Sequence, residues 1–134
     1  MSLAELSIST PQHCDFLDIT EEVMQVVRES GVSEGICIVY SPHTTAAITI
    51  NENADPSVVI DMVMASSKII KRDDPEFEHA EGNSDGHLKT SFFGASETII
   101  IEEGRLMLGT WQGIYLSEFD GPRQRRVLVK IIAG

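Results

Sequence analysis

Gly35-Ile-Cys-Ile-Val-Tyr40, Ser41-Pro-His-Thr-Thr45, Ala46-Ala-Ile-Thr-Ile50 and Asn51-Glu-Asn-Ala-Asp55-Pro56 follow one another without a gap through the middle of the chain. The first and third runs are short, apolar and rich in β-branched residues, which predicts strands over Gly35–Tyr40 and Thr44–Ile50. Asp55 followed by Pro56 is a helix start: a carboxylate to accept the free N–H groups, then a proline whose missing donor is harmless at the first helical position. Val59, Met62, Val63 and Ile70 continue that helix with an apolar stripe toward the core.

The same signals extend outward in both directions. A second helix is predicted from Ile19 to Ser30, with Asp18 and Glu21 at capping-box spacing, Val23, Val26 and Val27 on one stripe and Gly31 as the stop. Further strands are expected over Leu3–Ser9, His87–Phe93, Glu97–Glu102, Arg105–Phe119 with a break, and Arg125–Ile132, and Glu103-Gly104 marks a hairpin turn. Seven strands against two helices, joined mostly by short connections, predict an α+β fold: a seven-stranded, largely antiparallel two-sheet β-sandwich with the helices outside. With 134 residues and no repeat or linker, residues 1–134 are read as a single domain.

Composition narrows the function. Hydrophobic residues form 42% and charged residues 23% of the chain, ordinary for a folded globular protein. No apolar run approaches the roughly 20 residues that span a bilayer, so no membrane association and a cytoplasmic location are expected. Cys14 and Cys37 form no CxxC motif and read as free thiols, Cys37 buried. A formal charge of −11 repels nucleic acid and anionic lipid, so any phosphate must be held locally. The charge is uneven: Asp73, Asp74, Glu76, Glu78, Glu81 and Asp85 share one segment, while Arg123, Arg125, Arg126 and Lys130 share the C-terminal one.

Three of the four histidines fall in polar runs. His43 lies in the Ser41–Thr45 turn, and His79 and His87 bracket Glu81, Gly82, Asn83 and Asp85. Imidazole titrates near neutrality and ligates metals, so these are the candidate acid/base groups or ligands. Strand periodicity groups His43, Thr45 and Asn51 on one face, which runs into Glu52 and the Asp55 helix start, where free N–H groups favour anions. The same alternation sets His87, Lys89 and Ser91 on one strand face. Gly109 and Gly113 within a strand pattern imply a close approach by a ligand, a bulge or another chain; Trp111 beside them reads as a packing residue. Arg123, after Gly121-Pro122, is suited to fork onto a phosphate, and Arg125 and Arg126 read as a solvated edge or subunit ion pairs.

Ser-Pro-His-Thr-Thr-Ala-Ala, Asn51-Glu52-Asn53-Ala-Asp55-Pro, Glu81-Gly-Asn83 through His87-Leu-Lys, Gly109-Thr-Trp-Gln-Gly and Glu118-Phe-Asp-Gly-Pro-Arg123, in this order, resemble the YjbQ family, also called UPF0047 or secondary thiamine-phosphate synthase. The resemblance covers nearly the whole chain. It implies a seven-stranded sandwich with two helices, a homotrimer, and a site near the subunit interfaces. The activity it implies is thiamine-phosphate synthesis: a hydroxymethylpyrimidine diphosphate joined to a thiazole phosphate with loss of pyrophosphate, as a main or side reaction. It also implies His43, His79 and His87 as ligands to a divalent metal, where imidazole suits zinc better than magnesium. On this reading His43, Asn51, Glu52, Asp55 and Asn83 are catalytic, and Thr45, Lys89 and Arg123 bind a phosphorylated small-molecule substrate. Two rivals use the same residues: a non-catalytic metal- or metabolite-binding protein, and histidines that only stabilise a trimer interface.

Overall fold

A computed structural model describes residues 3–134. Its elements run β1 (Leu3–Thr10), β2 (Asp15–Asp18), α1 (Thr20–Ser30), β3 (Gly35–Tyr40), β4 (Ala46–Glu52), α2 (Pro56–Ile69), α3 (Ser84–Phe93), β5 (Ser96–Glu102), β6 (Arg105–Leu106), β7 (Gln112–Glu118) and β8 (Arg123–Ala133). The expected α+β class and antiparallel pairing hold, but the count is eight strands and three helices among the described residues. The strands form a five-stranded sheet, β1-β8-β3-β5-β6, and a three-stranded sheet, β2-β7-β4.

Alternation along the strands explains why two sheets stack. Cys37 and Val39, Ile99 and Ile101, and Val127, Val129 and Ile131 point from the large sheet onto Ile48, Ile114 and Leu116 of the small one, and Val23 and Val27 of α1 close the same core. Burying each large aliphatic side chain contributes about 1.5–3 kcal/mol, so this interface carries most of the packing energy. The small sheet is covered on its other face too. Phe16, Ala47, Tyr115 and Phe119 meet Cys14, Phe93 and the α2 residues Val59, Met62 and Val63 in a second core. Buried on both faces, β7 reads as a nearly continuous apolar run instead of a clean alternation.

Local chemistry sets the helix ends. The Asp55 carboxylate accepts the Ser57 N–H at 2.9 Å, with Pro56 at the first position, as the sequence predicts. Gly31 ends α1 in the left-handed conformation, φ 69°, its N–H reaching Arg28 O. Asp18 stands one residue further out than a capping box needs: Ile19 is the boundary residue, and Asp18 Oδ1 instead accepts the Thr20 N–H at 2.9 Å. Glu103 (φ 52°) and Gly104 (φ 73°) form the expected tight hairpin turn between Glu102 and its partner Arg105.

The main correction concerns His87–Phe93, which is helix α3 and not a strand. This helix buries Asp85, Gly86, Lys89 and Thr90, the polar and small positions one turn apart, and leaves Leu88 and Phe92 outside, Phe92 77% exposed. Its hydrophobic stripe is inverted, so apolar periodicity gives no helix signal. Gly86 permits the docking: a Cβ there would lie 3.1 Å from Phe119 O and 3.3 Å from Thr45 Cγ2. Two smaller corrections follow from pairing. β4 runs Ala46–Glu52 and leaves Ser41–Thr45 as a turn, and the long Arg105–Phe119 strand divides into β6 and β7.

Candidate functional site

The turn between β3 and β4 is built around Ser41. Its hydroxyl donates to Ala46 O at 2.7 Å and accepts the His43 N–H at 3.3 Å, which projects the His43 ring sideways toward β8. There His43 Nε2 accepts the backbone N–H of Arg126 at 2.9 Å. β3 pairs with β8 only from Leu128 onward, so the imidazole takes over a ladder donor that the departing strand leaves free. A backbone amide can only donate; Nε2 is therefore unprotonated and the neutral ring carries its proton on Nδ1. Burial lowers the His43 pKa, Arg125 adds to that, and the ring is neutral at pH 7.

His87, one turn into α3, faces the same space. His43, Thr44, His87, Thr90, Ser91, Gly94 and Ala95 line a cavity of about 350 Å³ that contains no carboxylate. On its far side His87 meets His79 edge to face, ring centroids 5.3 Å apart, over a second recess shared with Phe77, Ser84 and Leu88. The three histidines are thus strung along one groove, with His87 common to both halves.

A metal does not fit this set within one chain. Both His43 nitrogens are committed, one accepting from Arg126 and the other protonated, so the ring would ligate only by giving up that bond. His79 Nε2 lies 4.0 Å from Glu81 Oε2. No group of three or more His, Cys, Asp or Glu side chains able to hold a metal ion occurs among the described residues.

Several predicted anion binders have other work. Lys89 is 2% exposed, under the helix it belongs to and 3.7 Å from Asp85, not beside His87 on an open face. Thr45 is buried and its hydroxyl accepts from Arg125 at 2.9 Å. Arg123 folds back on its own turn, donating to Asp120 O at 2.8 Å and Asp120 Oδ2 at 3.0 Å; Asn83 Nδ2 donates to the same carboxylate at 2.8 Å. Arg125 is neither a solvated edge nor a subunit ion pair. It is buried in a two-pronged pair with Glu118, Nε to Oε1 at 2.8 Å, and Thr10 and the Asp120 N–H also donate to that carboxylate. Burial alone would raise Glu118, but these donors hold it below the usual carboxylate range.

Asn51, Glu52 and Asp55 gather at the other end of the small sheet. Ala46 pairs with Glu118 and Glu52 with Gln112, so the segment lies a strand length from the His43 turn, about 20 Å at about 3.4 Å per residue. Glu52 Oε2 accepts the Asp55 N–H at 3.2 Å and Asn53 Nδ2 donates to Asp18 at 3.1 Å. The Ser57 donors hold the exposed Asp55 carboxyl below its ordinary range. Gly113 is where this segment comes close to β7: a Cβ there would sit 2.4 Å from Asn53 Nδ2 and 2.7 Å from Asn53 Cβ. Trp111, expected to pack, is 62% exposed beside it.

Two stacked antiparallel sheets, with α2 and α3 covering the smaller one and a histidine groove at the edge of that layer, define an α+β sandwich class. The family model for "UPF0047 protein YjbQ-like" matches residues 4–134, and the chain belongs to this family. It is 51% identical over 130 residues to a UPF0047 protein of Methanocaldococcus jannaschii, covering 97% of this chain and 94% of that one. The corresponding figures for YugU of Bacillus subtilis are 47%, 97% and 98%. Among solved structures, a YjbQ/UPF0047 protein of Clostridium acetobutylicum superposes with a TM-score of 0.94 at 53% identity, covering 96% and 99% of the two chains. A YbjQ-like protein of unknown function from Sulfolobus solfataricus gives 0.95 at 33%, covering 99% and 97%.

Proposed function

We propose that the chain is a small trimeric enzyme acting on phosphorylated small molecules, with the His43–His87–His79 groove as its site. The observation that carries this reading is the convergence of His43 and His87, from segments far apart in sequence, on one cavity lined by hydroxyl and imidazole groups and free of carboxylates. An oxyanion meets donors there and no like charge, which offsets the overall negative field locally. His43 serves as a fixed Nδ1–H donor. His87, free of hydrogen bonds to neighbouring side chains among the described residues, moves the proton. Arg123, half-exposed at the Asp120 turn, is the one accessible member of the set Thr45, Lys89 and Arg123.

The carboxylates of the reacting centre, Glu52 and Asp55 with Asn51 beside them, lie too far from His43 to serve the same molecule of substrate in one subunit. In a trimer a neighbouring subunit would supply them. The exposed apolar residues of α2 and α3 support such an assembly. A divalent metal, zinc or magnesium, would likewise need ligands beyond His79 and His87 from the neighbour. Thiamine-phosphate formation from hydroxymethylpyrimidine diphosphate and thiazole phosphate is the reaction to assay first, since loss of pyrophosphate calls for the donors this groove presents.

The test is turnover and metal content measured on wild type, His43→Gln and His87→Gln. The enzyme reading expects His87→Gln to lower kcat by about 10²–10⁴-fold, the usual range for a lost proton-transfer group. Substrate bound normally by wild type with no turnover leaves the non-catalytic binder. Metal near one per chain that disappears in His87→Gln establishes a shared metal centre.

A further inference from the structure

Beneath α2 and α3, apart from the groove, four polar side chains meet in the second core. Lys89 Nζ lies 3.8 Å from Cys14 Sγ, 3.4 Å from Ser67 Oγ and 3.7 Å from Asp85 Oδ2, with the Phe119 ring 5.7 Å away. Asp85 is as buried as Lys89, and among the described residues neither of its carboxylate oxygens receives a hydrogen bond. Cys14, just before β2, is partly exposed, so a small oxidant reaches the edge of a site whose amine is shut inside. A lysine inserted only to neutralise Asp85 would hydrogen-bond it; this ammonium is instead held between carboxylate, hydroxyl and thiol.

We propose that Cys14 and Lys89 form an oxidative modification site, closed by a covalent sulfur–nitrogen bond after a hydroperoxide has oxidised Cys14. In the first step the thiol takes the terminal oxygen of the hydroperoxide, giving the sulfenic acid and releasing the alcohol, or water from hydrogen peroxide. In the second, the Lys89 ammonium gives one proton to the neighbouring Asp85 carboxylate and Nζ attacks Sγ. The S–O bond breaks, and the departing hydroxide leaves as water with a second proton from nitrogen. Sulfur is oxidised by two electrons and the hydroperoxide reduced by two.

No second thiol competes for the sulfenic acid within the chain. Cys37 is the only other cysteine, and it lies fully buried in the first core, where burial pushes it up to about 11. Burial and Asp85 raise the Cys14 thiol above its ordinary value, against the opposing pull of Lys89 and Arg72. Oxidation is therefore slow near neutral pH and quickens as pH rises, because the thiolate is the reacting form. The bond would tie the start of β2 to α3 two residues from His87, fixing the helix that carries one wall of the groove.

The full-length protein is exposed to hydrogen peroxide, unfolded, alkylated without reductant, digested and examined by mass spectrometry. The expected product is a peptide pair joined through Cys14 and Lys89, two hydrogens lighter than the sum of its parts, resistant to trypsin after Lys89 and released by dithiothreitol. Cys14→Ser and Lys89→Arg should both abolish it; the arginine keeps a cation beside Asp85. Should that variant fail to fold, Cys14→Ser and the blocked cleavage in wild type still decide the matter. Cys14 that stays alkylatable, or that proceeds to the sulfinic acid while trypsin cuts normally after Lys89, overturns the proposal. A joined pair carrying an extra oxygen overturns the sulfur–nitrogen assignment.

Discussion

Arg125 shares the inward face of β8 with Val127, Val129 and Ile131, and Glu118 shares the inward face of β7 with Ile114 and Leu116. Two charged residues in apolar positions, on strands of different sheets, face each other across the core, and the pair clamps the end of the sandwich where the His43 turn leaves it. Removing one member strands the other: Arg125→Met is expected to cost about 3–5 kcal/mol of stability, read from denaturant or thermal unfolding. Glu118→Gln makes a pH prediction with a definite sign. The folded carboxyl lies below its ordinary value, so its stabilisation is complete above the ordinary carboxylate range and drains away as pH falls through the folded value. His43, whose pKa is also lowered, begins to weaken the fold at a higher pH, just below about 6.5, because protonation there is resisted by burial and by Arg125. Wild type should lose stability toward acid in two stages, and Glu118→Gln should flatten the lower one. An unchanged slope would show that Glu118 ionises in the folded state as it does in the unfolded chain.

At the level of elements, most of the strands and two of the helices could be read from sequence because their hydrophobic period matches their geometry. β3, β5 and β8 alternate onto one core, and α2 opens on Asp55-Pro56. What could not be read has two causes: polar burial in α3 and the shortness of β2. α3 hides Asp85, Gly86, Lys89 and Thr90 and shows Leu88 and Phe92, so its pattern mimics a strand; the short β2, four residues long, carries no period at all. The histidines of the candidate site were legible as residues, but their order along a groove depends on α3 being a helix. The parity of Arg125 with Val127 was available and points inward, a signal outweighed by the expectation that arginine faces water. Gly113 answers its own question: Asn53 packs against it. Gly113→Ala should therefore overpack that contact and cost about 1–3 kcal/mol, seen as a lowered Tm. It should also displace Asn51–Asp55, lowering turnover more than His43-side binding. A Tm unchanged from wild type would mean that Asn53 moves aside freely.

Across the whole molecule, most of the exposed large apolar residues fall on two faces, with Met107 and Trp111 apart from them. Ile60, Met64 and Ile69 on α2 and Leu88 and Phe92 on α3 stand open on the helical layer, and Tyr40, Ile100 and Ile132 on the outer face of the large sheet. Met62, Ala65, Ile69, Phe92 and Phe93 line a recess of about 410 Å³ between the two helices, an apolar concavity that water fills poorly. A helix that spends its polar face on the interior and leaves its aromatic outside has its stability tied to whatever covers that aromatic. If copies of the chain cover one another, Phe92→Ala should weaken association by about 2 kcal/mol, roughly thirty-fold in the dissociation constant, measured by sedimentation across a dilution series. Circular dichroism should remain that of the folded chain, because Phe92 adds little to the subunit's own cores. Turnover should fall in proportion to the assembled fraction, since Glu52 and Asp55 can reach the His43–His87 cavity only from a neighbour. A variant that dissociates yet keeps full turnover per chain would place the whole reaction within one subunit and remove the carboxylates from it. A wild type that sediments as a monomer at every concentration would remove the assembly itself.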